Sequence, residues 1–334
     1  MVFSRKWILK NNFEGFPKAE DFELVEEELG SLKENEIQFR TLFLSVDPYM
    51  RPFTAWMEPP FVMIGRSVAE VEESKHLDYP KGAIITIMAG WVERGIINPD
   101  NPSSDFYGQV NHAFDIGVLS KSLLLGAIGD TGNTAYFGLL EICKPRAGET
   151  VVVTTAAGAV GSLVGQIAKI KGCKVIGFTG TDEKCNWLKE IGFDEVFNYK
   201  NVDIAESLTK SAPEGVDCYF DNVGGEIAIA VMSKMNARGR VAVCGSISHY
   251  NDVEGYTKVS DPLPLCLFKE LKVEGFLVTR WKNRYMEGLA AMSEWISKGD
   301  IRARETIVEG FEKMPNALMG LFTGDNIGKM VVKA

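Results

Sequence analysis

Residues 151–161 hold the first arrangement in this chain that could do chemistry. The β-branched run Val151-Val152-Val153 leads through Thr154-Thr155-Ala156-Ala157 into Gly158-Ala159-Val160-Gly161. Val160, Leu163, Val164 and Ile167 then recur at helical spacing. A strand, a tight glycine turn and a helix in that order make an anion site. The first N–H groups of the helix lack internal partners, and its dipole adds positive potential at the same end. The spacing is that of a dinucleotide fingerprint with its first glycine replaced by Ala156. Gly158 would let the backbone approach a pyrophosphate, and Gly161 would let helix and strand pack closely. The plain alternative is a tight βα turn without a ligand. It is disfavoured because the segment lies inside a run of βα units.

The second strand discriminates between cofactors. An NAD site places an acidic side chain about 20 residues beyond the glycines, on the ribose hydroxyls. Here that distance is occupied by Thr179-Gly180-Thr181, with Lys184 one helical turn further on. Hydroxyls and an ammonium suit a 2′-phosphate, so NADP(H) is expected. The competing reading makes Asp182 the ribose acid and Lys184 a solvated helix residue.

Zinc chemistry needs Cys, His and acidic ligands grouped around one centre, and a structural zinc needs closely spaced cysteines. The first 140 residues contain no cysteine, and the three histidines, His76, His112 and His249, lie in polar or turn-like contexts. No metal is expected. The six cysteines at 143, 173, 185, 218, 244 and 266 are scattered, as in a cytosolic protein with reduced thiols.

The elements that must position these residues fall into two textures. The first 125 residues read as strands and turns, with β-rich runs Ile37–Val46, Met63–Val71 and Ala83–Ala89. Residues 92–112 read as an irregular surface connection around Asn98-Pro99-Asp100-Asn101-Pro102. From residue 126 strand and helix alternate. Strands are expected over 150–155, 174–178, 195–198, 216–220, 240–244 and 271–278. Helices are expected from Val160 and over 183–191, 204–211, 226–235 and 285–297. Six alternating units imply an α/β doubly wound parallel sheet with right-handed crossovers. Thr306–Val308 and Lys329–Val332 are strand-like and are assigned back to the first domain. The expected division is 1–125 plus 303–334 around 126–302.

Composition sets outer limits. A chain of 334 residues, 46% hydrophobic and 24% charged, has ample material for two cores. A net charge of −9 argues against a general nucleic-acid surface. Arg5, Lys6 and Lys10 interrupt the apolar residues of the first ten, so no signal peptide is expected. Val151–Ala168 is broken by Thr154, Thr155, Gly158, Ser162 and Gln166, so it is not read as a membrane span.

Further segments carry a family likeness almost end to end. They are Leu44-Ser45-Val46-Asp47-Pro48-Tyr49-Met50-Arg51, Thr134-Ala135-Tyr136-Phe137-Gly138-Leu139-Leu140-Glu141 and Ala157-Gly158-Ala159-Val160-Gly161-Ser162. Phe197-Asn198-Tyr199-Lys200, Asp217-Cys218-Tyr219-Phe220-Asp221-Asn222-Val223-Gly224-Gly225 and Gly324-Asp325-Asn326 continue it. With these, the chain resembles the zinc-independent medium-chain dehydrogenase/reductases, and within them the prostaglandin reductase branch. The resemblance implies a Rossmann NADP-binding domain inserted into a GroES-like catalytic domain, a cytoplasmic location and a homodimer. It implies that Gly158, Ala159, Val160 and Gly161 hold the pyrophosphate, with Lys184 and Tyr199 at the 2′-phosphate. Asn222, Cys244, Gly245, Ser246, Ile247, Ser248, His249, Tyr250, Phe276, Leu277, Val278 and Asn326 would line the rest of the cofactor groove. Tyr49, Phe268 and Trp281 would border the substrate, with Tyr49 and Tyr250 as the catalytic candidates.

The implied reaction is NADPH-dependent reduction of the carbon–carbon double bond of α,β-unsaturated ketones and aldehydes, such as 15-oxoprostaglandins and alkenals. Oxidation of leukotriene B4 at its 12-hydroxyl is a side activity that the resemblance also suggests. Two departures touch the substrate pocket. Phe268 stands where relatives have a tyrosine, and Gly255-Tyr256-Thr257-Lys258-Val259-Ser260-Asp261-Pro262 replaces a proline-rich loop. With no phenol at 268, the donor to the enolate oxygen is left among the ribose 2′-hydroxyl, Tyr49 and Tyr250. The competing functions are a quinone reductase on the same scaffold and an NADPH-binding protein without turnover.

Overall fold

Six runs between residues 150 and 275 become one sheet: Thr150–Thr154, Lys174–Thr179, Glu195–Asn198, Val216–Asp221, Met235–Val243 and Lys272–Gly275. Every neighbouring pair is parallel. In sequence order the strands lie 3-2-1-4-5-6 across the sheet, the doubly wound order. A crevice then opens outside the carboxyl ends where the first and fourth strands part. The first strand is buried along its whole length, as a central strand covered on both faces must be. Helices Ala159–Ile170, Asp182–Glu190, Ile204–Ser211 and Gly225–Ser233 form the crossovers. Their starts are capped where the sequence supplies an oxygen. Thr181 Oγ1 accepts the Lys184 N–H at 3.3 Å, and Asp203 Oδ1 accepts the Glu206 N–H at 2.7 Å. Val152, Ile176, Phe178, Tyr219 and Val241 meet Leu208, Val231 and Met232 in the core.

In this computed structural model residues 1–103, 108–252 and 260–334 are described. Part of the expected irregular connection at 92–112, and residues 255–259 of the loop that departs from the family, lie outside them. The chain separates into two units. One is Met1–Gly126 with Thr306–Asn326 and Met330–Ala334; the other is Ala127–Glu305 with Ile327–Lys329. The tail is therefore shared: residues 303–305 and 327–329 go with the nucleotide-type sheet. Gly328 explains the second of these, because its N–H donates to the Ala157 carbonyl at 2.8 Å.

The first unit is built on strands. Glu305–Glu309, Lys329–Lys333, Ile37–Ser45, Ser67–Ser74, Ile84–Ile87 and Val110–His112 follow one another across a seven-stranded sheet, with Arg94–Ile97 also paired to Ile37–Ser45. Phe22–Leu29, Val2–Leu9 and Phe61–Val62 make a second sheet of three. Leu9, Phe22, Leu44, Met50 and Trp91 are buried between helix Met314–Thr323 and these strands. Among the described residues no helix is long and apolar enough to cross a membrane.

Candidate functional site

The fingerprint turn is closed by its own backbone. Gly158 donates to the Thr155 carbonyl at 2.9 Å, and Ala156 donates to the Phe178 carbonyl at 2.9 Å. Thr155 is held at φ +49°, a left-handed conformation that a β-branched residue rarely adopts and that recurs at ligand-binding turns. The two glycines are there for space. A Cβ on Gly161 would lie 2.4 Å from the Thr155 oxygen and 2.9 Å from Ala156 Cα. A Cβ on Gly158 would lie 3.0 Å from the Thr155 methyl. Gly328 runs parallel beside Gly158. At φ +69°, with the Arg304 oxygen 1.9 Å from any Cβ, that position admits only glycine. This return of the tail to the turn has no local signal in the sequence.

At the parting of the strands, Asn222 links the first strand to the fourth. Its Nδ2 donates to the Thr154 carbonyl at 2.7 Å and its N–H to Thr154 Oγ1 at 3.1 Å. Asp221 lies beneath, 3% exposed. One of its oxygens accepts the Tyr219 hydroxyl at 2.7 Å and the N–H groups of Val223 and Gly224 at 2.9 Å each. That carboxylate is consumed in shaping the turn and is not available as a general base. Residues 244–250 lie along this turn: Cys244 donates to the Asp221 carbonyl at 2.8 Å and Ser248 to the Val223 carbonyl at 3.1 Å. Gly224, at φ +71°, has no room for a side chain, because the Ser246 hydroxyl would stand 2.5 Å from its Cβ.

Tyr250 closes the group. Its hydroxyl oxygen accepts the Ser246 N–H at 3.3 Å and lies 3.2 Å from where a Gly245 Cβ would be. Burial pushes the phenol above its ordinary range, against the pull of that N–H. The group is therefore neutral at physiological pH, with one lone pair occupied and its proton still to give. Burial also pushes the neighbouring Cys244 thiol up to about 12, with Asp221 adding to the effect, so it is no nucleophile. His249 is tied through Nδ1 to Asp252 at 3.2 Å, and its Nε2 lies 3.6 Å from the Cβ position of Gly225.

The residues expected at the ribose end gather at the second and third strands. Lys184 stands half-buried in the first turn of its helix. Tyr199 donates its N–H to the Thr179 carbonyl at 3.0 Å, and its ring edge and hydroxyl lie 3.4 Å from the Gly180 Cβ position. Asp182, the competing ribose acid, is engaged otherwise, accepting the Asn198 amide at 2.9 Å. The geometry thus favours the phosphate reading.

Phe268 ends the short helix Leu263–Phe268, which leads into the amino end of the sixth strand, and it is 83% exposed. Within its own unit it stands at the opposite end of the sheet from the fingerprint turn and is not part of this group. Sequence spacing does not say at which end of a strand a residue emerges. Trp281 stacks on Phe137 at 5.2 Å and meets Phe276 edge-on at 5.6 Å, so it serves an aromatic cluster. Phe276 itself turns inward, 2.5 Å from the Gly138 Cβ position, whereas Leu277 is exposed and Val278 half-buried. Asn326 follows the Gly324 helix cap two residues before Gly328.

In the first unit, Tyr49 caps helix Met50–Thr54, its ring set edge-on to Phe53 at 5.3 Å. Arg51 on that helix is 6% exposed and donates to the carbonyls of Phe13 and Gly15 at 3.1 and 3.2 Å. It fixes the helix carrying Tyr49, a role that its type alone does not reveal. The histidines do not converge: His76 meets Asp100 at 3.1 Å and His112 stacks on Tyr79 at 4.4 Å. Among the described residues no three His, Cys, Asp or Glu side chains gather as a metal site.

Two family models match the chain: "Zinc-binding dehydrogenase" over residues 159–294 and "N-terminal domain of oxidoreductase" over residues 5–103. The chain is 47% identical to prostaglandin reductase 1 of Rattus norvegicus over 337 residues, all of both chains. It is 40% identical to the NADP(+)-dependent 2-alkenal reductase of Nicotiana tabacum, with 99% of this chain and 97% of the relative covered. Among solved structures, CurA of Vibrio vulnificus in complex with NADPH superposes with a TM-score of 0.90, at 39% identity, over 99% of both chains.

Proposed function

The chain belongs to the medium-chain dehydrogenase/reductase family, in its prostaglandin reductase branch, and from that premise we propose that it reduces the double bond of α,β-unsaturated ketones and aldehydes with NADPH. The observations that carry this reading are the glycine turn at 158–161, which has no room for a Cβ on Gly161, and the half-buried Tyr250 hydroxyl held by the Ser246 N–H. The 40% identity to the NADP(+)-dependent 2-alkenal reductase of Nicotiana tabacum supports the substrate class.

Bound NADPH supplies the hydride that goes to the substrate β-carbon. The chain does the rest. The N–H groups of 158–161 hold the pyrophosphate, Lys184 and Tyr199 the 2′-phosphate, and Asn222 with the 244–250 strap the nicotinamide half. The backbone of 276–278 and Asn326 complete the groove, and Tyr49 orients the substrate. As negative charge grows on the carbonyl oxygen, the Tyr250 O–H is the donor that stabilises it. Solvent then protonates the α-carbon. The zinc in the matched family's description does not fit this donor set, so no step is routed through a metal. With NADPH deuterated at C4, the label should appear at the β-carbon of an alkenal, at a rate unaffected by chelator. Label at the carbonyl carbon, or turnover of quinones alone, would overturn the reading.

We take the chain to be a cytoplasmic homodimer. The sixth strand, Lys272–Gly275, is an edge of its sheet, and Leu263, Leu267, Phe268, Val273 and Leu277 are exposed around it. An open edge beside such a patch is stabilised by pairing with a second copy. Light scattering at micromolar concentration should give twice the chain mass of 36.9 kDa; a monomer there rejects the pairing.

A further inference from the structure

Lys200 has no role in the reading so far, yet its position at the carboxyl end of the third strand is built. Thr179 and Asn198 are in register across the second and third strands, so residues 199–200 emerge beside Gly180 and Thr181. Asn198 fixes the exit twice. Its Oδ1 accepts the Lys200 N–H at 3.2 Å, while its Nδ2 holds Asp182 at 2.9 Å. The Lys200 chain then turns back over the second strand: its Cε lies 3.7 Å from the Gly180 Cβ position, and the Tyr199 hydroxyl lies 3.4 Å from that same position. That is where an NAD site would carry its ribose acid. Among the described residues no carboxylate pairs with the Lys200 ammonium.

We infer that Lys200 is a cationic ligand of the 2′-phosphate additional to Lys184, contributing to the choice of NADPH over NADH. A phosphate carrying about two negative charges attracts the Lys200 ammonium, whereas a ribose hydroxyl offers it no charge. Asp182, the acid nearest in sequence to the expected ribose position, is held by Asn198. Lys200 is exposed, so its contribution is screened by salt, as for any solvent-facing pair.

The inference rests on the NADPH reading, and equilibrium binding separates the two. Dissociation constants for NADPH and NADH would be measured by nucleotide fluorescence for the wild type, Lys200→Gln, Lys200→Arg and Lys184→Ala. Lys200→Gln should weaken NADPH about tenfold and NADH by less than about twofold, with Lys200→Arg recovering most of the loss. The NADPH effect should shrink in about 0.5 M salt, where the Debye length is only a few ångströms. Equal weakening of both nucleotides, or of neither, overturns the role of Lys200 while leaving Lys184 to account for the preference. A wild type that does not prefer NADPH overturns the cofactor reading itself.

Discussion

Gly161→Ala is expected to abolish NADPH binding at concentrations that saturate the wild type. The added methyl would stand 2.4 Å from the Thr155 oxygen and 2.9 Å from Ala156 Cα. Both are backbone atoms of a turn already held in a left-handed conformation at Thr155, so neither can give way cheaply. Alanine's better helix propensity returns about 1 kcal/mol at most. Displacing the turn costs about 3 kcal/mol, or roughly 100-fold in affinity. The loss should be equal for NADPH and NADH, because the pyrophosphate is common to both. Gly30→Ala is the control: nothing lies within 4 Å of its Cβ position, and binding should be unchanged. Titration with either nucleotide checks this, and a Gly161→Ala protein binding within threefold of wild type would show that the turn is not the phosphate site.

Tyr250→Phe should have the largest effect on turnover at unchanged cofactor affinity. If the phenol stabilises the charge developing on the carbonyl oxygen, its removal costs about 2.7–4 kcal/mol in the barrier, or roughly 100- to 1000-fold in kcat. The ring stays, so packing is kept, and the Ser246 N–H loses one long hydrogen bond. The pH profile provides a second readout. The donor acts in its neutral form, and burial raises its pKa above the ordinary tyrosine value. Activity from this group should therefore hold through neutral pH and fall only as pH rises past about 10, the ordinary tyrosine value. An alkaline limb near pH 8, or a kcat within threefold of wild type in Tyr250→Phe, would move the role to Tyr49 or the ribose hydroxyl.

Much of the nucleotide unit is legible in the sequence because its determinants are local. Strand Glu195–Asn198 and helix Ile204–Ser211 have the bounds that periodicity implies. The glycine spacing of 158–161 states a steric requirement that the turn then displays. The fifth strand is longer than its apolar run at 240–244 suggests. It begins at Met235, where Arg238 at φ +63° lets an uneven, glycine-containing run remain in the sheet.

In the nucleotide unit the sequence by itself determined the element types, their alternation and the cofactor class, since each depends on side chains a few residues apart, whereas residues 92–112, read as an irregular connection, supply strands Arg94–Ile97 and Val110–His112. Tertiary structure decided which distant residues share a site. Parallel register put Lys200 over Gly180 and turned Asn198 toward Asp182, disposing of the competing ribose acid. The tail's return set Gly328 against Gly158. The same sheet direction placed Phe268 at the amino end of its strand, at the other end of the sheet from the fingerprint turn. Crossover packing fixes these placements: each strand's register depends on the helix that precedes it and the neighbour it meets, and neither is encoded in local spacing.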